Sequence, residues 1–213
     1  MLVIHHLEKS QSERIIWLCE ELGLPCEIRH YKRDPVTILA PPALRAVHPM
    51  GAAPIIEDGG VVLAESGAIV EYILARHGAG TLVPAADAAN FPDYLYWFHF
   101  ANGNLQPVMG RSLVLSRLKL PADNPVLAGQ QGRLDRALGL VDTRLGQADY
   151  LAGDALTAAD IMTVFSLTTM RIFFPVDLTP YPNIRHYLQR IGRRSAYRRA
   201  MQKGDPDLTP LLD

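Results

Sequence analysis

Apolar and polar positions change their rhythm once along this 213-residue chain. Up to residue 77, short apolar runs alternate with helical stretches. Residues 2–6 read as a strand. Residues 12–22 read as a helix with Ile15, Leu18, Cys19 and Leu22 on one face, 26–31 as a strand, and 42–47 as a short helix. Ile55-Ile56 and Val61-Val62-Leu63 flank Asp58-Gly59-Gly60, where the glycines supply the positive φ of a hairpin turn. Ile69, Tyr72 and Ile73 then recur at helical spacing. This alternation predicts a βαβ unit joined to an antiparallel ββα unit. A breaker-rich stretch from Gly78 to Pro92 follows and reads as a linker. Beyond it the pattern predicts helices over 93–118, 125–145, 158–173, 181–192 and 195–203, and then a Pro-containing tail from Gly204 that lies on the surface. The expected organisation is an α/β domain over 1–79, a linker over 80–91 and an all-helical domain over 92–213.

Composition narrows the function classes. A net charge of −1 leaves no basic field for nucleic acid, and no apolar run approaches the ~18 residues of a membrane span. The opening Met-Leu-Val-Ile-His-His has no basic segment ahead of an apolar core, so no secretory signal is expected. Cys19 and Cys26 are the only cysteines, which is no disulfide framework. Cys19 shares the apolar face of its helix and reads as core. His5 and His6 have no Asp, Glu or Cys at ligand spacing, so no metal site is expected. Arg193-Arg194 and Arg198-Arg199 read as a solvated helix face.

Two segments carry candidate chemistry. The stretch from His48 to Ile73 runs from Ala53-Pro54 through the hairpin to Glu65-Ser66-Gly67 at a helix start. Unpaired N–H groups and a partial positive charge at such a start suit a carboxylate, and Ser66 adds a hydroxyl. The loop Leu7-Glu8-Lys9-Ser10-Gln11-Ser12-Glu13 follows the first strand. Ser10-x-x-Glu13 there matches a helix capping box.

These residues resemble the cytosolic glutathione S-transferase family, in its theta-like bacterial and fungal branch, over nearly the whole chain. The resemblance implies a thioredoxin-like first domain with a mixed sheet (βαβ-α-ββα), followed by an all-α domain. It implies that Ala53-Pro54 is a cis-proline dipeptide at the glutathione site and that Glu65 and Ser66 hold the γ-glutamyl end. Ser10 then corresponds to the serine facing the glutathione sulfur, with Ser12 as the fallback. A hydroxyl donating to sulfur favours the thiolate, which is the nucleophile. Family members that exchange thiols and disulfides carry a cysteine in this loop, and this chain has none. The residue after Gly51 is usually Lys or Gln in the family but is Ala52 here. Lys32, Arg33 and His48 are the candidate partners for the glycine carboxylate, and spacing selects none of them.

The implied activity is conjugation of the glutathione thiolate to small hydrophobic electrophiles, with peroxide reduction alongside. The alternative is a binding or regulatory protein of the same fold with little turnover. Glutathione is the implied co-substrate, the implied assembly is a homodimer, and the expected location is cytoplasmic.

Leu156-Thr157-Ala158-Ala159-Asp160-Ile161 carries a further sign. Thr157 and Asp160 form a capping box, with Leu156 and Ile161 as its hydrophobic staple. The box explains both polar residues without any catalytic role.

Overall fold

The computed structural model describes residues 1–213. Its strands are β1 (Leu2–Leu7), β2 (Cys26–Tyr31), β3 (Ile55–Asp58) and β4 (Val61–Ala64). Its helices are α1 (Glu13–Leu22), α2 (Pro42–Arg45), α3 (Ser66–His77), α4 (Phe91–Phe100), α5 (Gln106–Arg117), α6 (Pro125–Leu145), α7 (Ala158–Leu167), α8 (Pro182–Arg193) and α9 (Ser195–Gly204). Residues group into two compact units, 1–83 with 192–210 and 84–191 with 211–213.

The first unit is built on a four-stranded sheet in the order β2-β1-β3-β4. β1 and β2 are parallel, while β1–β3 and β3–β4 are antiparallel, so the sheet is mixed. Ile4, Ile55 and Ile56 are fully buried in it. The hairpin turns at Gly59 and Gly60, with φ of 56° and 89°. α1 buries Ile15, Ile16, Leu18 and Cys19, and ends at Gly23, whose left-handed conformation (φ 60°) turns its N–H back to the carbonyls of Cys19 and Glu20.

α9 also packs in this unit. The Tyr197 ring meets Trp17 of α1 edge-on, with centroids 5.1 Å apart. Arg194 grips the Glu21 carboxylate through two nitrogens at 2.8 Å, and Arg199 and Lys203 both pair with Glu20. This corrects the reading of the arginine pairs as a purely solvated face, because Arg194 and Arg199 tie α9 to α1. Burial works against the Glu20 charge, but the two cations outweigh it and hold its carboxyl below the usual range.

The second unit is helical. The helix expected over 93–118 is interrupted: α4 passes through a π-helical turn at Ala101–Leu105 before α5 begins. Pro107 explains the break. It has no N–H for the carbonyl one turn earlier, and its ring crowds that carbonyl. Tyr94, Trp97, Phe98 and Phe100 are buried in this unit. The capping box at the start of α7 is formed, and Asp160 is fully buried. Its carboxylate accepts from the N–H groups of Leu151 (3.0 Å) and Thr157 (2.8 Å), the Thr157 hydroxyl (3.1 Å) and the Tyr187 hydroxyl (3.0 Å). α7 ends at Leu167, short of the expected residue 173, and Thr169–Ile172 continue as a 3-10 turn. No helix is long and apolar enough to cross a membrane.

Candidate active site

The candidate site lies in the first unit, on the loop after β1 and at the N-termini of α1 and α3. β1 alternates its side chains, so His6 lies on the same face as Leu2 and Ile4, while His5 lies on the other. His5 is held there by the Tyr31 hydroxyl and the Glu57 carboxylate, both at 2.8 Å. No group of three or more His, Cys, Asp or Glu side chains is placed to hold a metal ion.

The loop turns sharply at Lys9, a non-glycine residue at φ 51°. Ser10 follows and is 5% exposed. The Ser10 Oγ accepts from the N–H of Ser12 (3.3 Å) and meets the Ser12 Oγ at 2.7 Å. Ser12, not Ser10, is the residue that precedes the first turn of α1. Its hydroxyl is fully buried between Ser10 and His6 Nδ1, 2.9 Å away. Ser10 is therefore the outer of the two serines.

Gln11 links this loop to α3. Ser66, 2% exposed, accepts from Arg14 Nη1 (3.0 Å) and donates to Gln11 Oε1 (3.2 Å), while Arg14 also donates to Gln11 (2.9 Å). Burial pushes the pKa of Arg14 down to about 9, with Glu13 acting the other way, so the guanidinium stays charged at neutral pH beside Ser66. Glu65, just before α3, is exposed and holds φ 72° and ψ 113°. A non-glycine residue in this region is strained, and such strain persists where surrounding structure enforces it. The Ala53–Pro54 peptide bond is cis, with both residues buried at the entry to β3.

The three candidates for a carboxylate partner are placed differently. The Arg33 guanidinium is engaged by the backbone carbonyls of Glu8, Lys9 and Ile38, so it braces the loop that carries Ser10. Lys32 is exposed and lines a cavity beside the C-terminal tail. His48 is half-buried and accepts the Met50 N–H through Nδ1 (3.1 Å).

Comparison with known proteins decides the family. A family model for the N-terminal domain of glutathione S-transferases matches residues 4–81, and one for the C-terminal domain matches residues 105–195. Glutathione S-transferase 3 of Schizosaccharomyces pombe is 32% identical over all of this chain and 91% of its own length. This chain belongs to the glutathione S-transferase family. Glutathione S-transferase 1 of Saccharomyces cerevisiae is 29% identical, covering 95% of each chain. The crystal structure of a glutathione S-transferase from Actinobacillus pleuropneumoniae superposes with a TM-score of 0.88 at 32% identity, over 96% of this chain and 93% of that one. The mixed sheet followed by helices is the architecture of this glutathione S-transferase structure.

Four residues at the site were not singled out as site residues from sequence: His6, Gln11, Arg14 and Asp205. Strand phase places His6 with Ile4, and Arg14 sits within the apolar run that buries Ile15 to Cys19, so both had a local signal. Asp205 had none, because its contact with Lys9 spans 196 positions.

Proposed function

We propose that this glutathione S-transferase conjugates glutathione to small hydrophobic electrophiles through a thiolate stabilised at Ser10. Two features of one unit carry the reading. Ser10 stands at the approach to α1, and Gln11 ties its loop to Ser66 at the start of α3. In this reading the Ser66 hydroxyl and the N-terminus of α3 take the γ-glutamyl carboxylate, with charged Arg14 behind them. Exposed Glu65 takes the ammonium group. Ala53 and Pro54 line the middle of the tripeptide, and Lys32 or His48 takes the glycine carboxylate, since Arg33 is engaged elsewhere. Ser10 and the helix terminus favour the charged sulfur. Holding thiolate and electrophile together supplies the rest of the rate. Peroxide reduction follows from the same thiolate. Thiol transfer is disfavoured because the loop offers serines where that chemistry needs a cysteine. The protein acts as a cytoplasmic homodimer, a location consistent with two unlinked cysteines.

The test is conjugation of chlorodinitrobenzene and reduction of cumene hydroperoxide, alongside a glutathione thermal shift. Turnover with a stabilising shift is the expected result. A glutathione shift without turnover on either substrate would establish the second reading, a binding member of the family, which Ala52 leaves open. Absence of any shift would overturn both.

A further inference from the structure

Ser10 is the first member of a buried chain that the conjugation chemistry above leaves unexplained. The Ser10 and Ser12 hydroxyls are 2.7 Å apart, and the Ser12 hydroxyl is 2.9 Å from His6 Nδ1. His6 Nε2 lies 3.2 Å from Asp205 Oδ2, and His6 is 1% exposed. That last contact is close but not an aligned hydrogen bond, since Nε2 has no hydrogen-bond partner within angular range, and it is an ion pair only when the ring is protonated. The far end is anchored to the near one: both Asp205 oxygens accept the Lys9 N–H at 3.1 Å, next to Ser10. Gly204 lets the end of α9 close over the ring. A β-carbon there would lie 3.3 Å from His6 Cε1 and 3.4 Å from Nε2.

Counting protons gives the chain a direction. Burial works against the Asp205 charge, but His6 and the Lys9 amide outweigh it and hold the carboxyl below its ordinary range. Asp205 is thus ionised at neutral pH, and a carboxylate beside Nε2 selects the tautomer carrying its hydrogen there. Nδ1 is then an acceptor, so Ser12 donates to His6. Ser10 in turn donates to Ser12. Ser10 is left able only to accept, so an arriving thiol must donate to it.

We propose that His6, acting through Ser12 and Ser10 and backed by Asp205, accepts the proton that the bound glutathione thiol releases. The proposal rests on Ser10 facing the sulfur. The S–H bond breaks, each serine takes one proton and passes one on, and an N–H bond forms at Nδ1. Every hydrogen bond is then reversed: the imidazolium donates to Ser12, Ser12 to Ser10, and Ser10 to the thiolate. Ser10 becomes a donor to sulfur only once the thiol has ionised. His6 and Asp205 are positioning residues, since neither touches the substrate.

The other charged groups around the ring fit this role. From β2, His30 meets it edge-on at 5.5 Å between centroids, with its own pKa held down by burial and then by His6. From the loop comes Lys9, whose amide holds Asp205. α1 brings Ile16 to the same place, and Glu57 of β3 pairs with His5 instead. His30, Lys32 and Asp205 line a cavity of about 350 Å³. His6 itself does not line it, so the cavity meets the ring's neighbours His30 and Asp205 rather than the ring.

The experiment titrates the ultraviolet absorbance of bound glutathione thiolate against pH. It compares the full-length protein with Ser10→Ala, Ser12→Ala, His6→Gln and Asp205→Asn, and measures glutathione Kd and the pH profile of kcat on each. Ser12→Ala, His6→Gln and Asp205→Asn are each expected to raise the bound thiol's pKa by about one unit, roughly ten-fold in ionisation, with Kd within about two-fold of wild type. Turnover should fall at neutral pH and recover as pH rises. If Ser10→Ala shifts the titration and the other three do not, the relay is overturned and the serine assignment stands. If Ser10→Ala is also silent, both fall. A weaker Kd and lower melting temperature with an unmoved pH profile would mean a structural role only, and would likewise overturn the proposal. Should His6→Gln not fold, Asp205→Asn decides, because its amide oxygen still accepts from Lys9 while the charge is gone.

Discussion

Replacing Asp160 by alanine should destabilise the protein by more than a helix cap alone predicts. A lost N-cap interaction costs about 0.5–2 kcal/mol. Here the same carboxylate also serves the Leu151 N–H and the Tyr187 hydroxyl, and it is fully buried. Truncation leaves the N–H groups of Leu151 and Thr157 and the Tyr187 O–H without an acceptor, and a buried unsatisfied group costs about 1–3 kcal/mol. Part of this is offset, because burial already pushes the Asp160 carboxyl up against its hydrogen bonds. Two uncompensated groups beyond that offset give a net loss of about 3–4 kcal/mol. At about 2–4 °C per kcal/mol for a chain of this size, the melting temperature should drop by roughly 10 °C. Urea unfolding followed by circular dichroism measures the loss directly. Tyr187→Phe alone should cost about 1 kcal/mol, and its effect should shrink in the Asp160→Ala background, since the two side chains share one hydrogen bond. Glutathione affinity should be unchanged, because every partner of Asp160 lies in the helical unit. A loss under about 1 kcal/mol for Asp160→Ala, or additive effects in the pair, would refute the reasoning.

Ser66→Ala should weaken glutathione binding by about 1–3 kcal/mol by calorimetry, since a charged carboxylate loses a donor. Ser66 also bridges Arg14 and Gln11, so unfolding should be measured in parallel; equal affinity in a folded variant would reject the γ-glutamyl assignment. For assembly, sedimentation at micromolar concentration should give a dimer, and a monomer would refute the proposed homodimer.

Local physics made much of this protein legible in its sequence. Strand and helix periods, the Asp58-Gly59-Gly60 turn and the Thr157–Asp160 box depend on neighbours within a few positions, so their residues announce them. Resemblance extended this to the family. The helix at 93–118 failed for a local reason that was present and unread, since Pro107 cannot continue the hydrogen-bond ladder. The rest was decided by the tertiary structure. Arg194 and Arg199 look solvated until α9 lies on α1, where Glu20 and Glu21 meet them. Arg33 looks like a ligand for an anion until the loop carbonyls surround it. Most of all, Ser10, Ser12 and His6 sit within a few residues of one another, but Asp205 reaches that loop only because the chain returns 196 positions after Lys9. Pairing a buried imidazole with a carboxylate needs a contact of a few ångströms, and sequence spacing carries no information about a contact made at that separation.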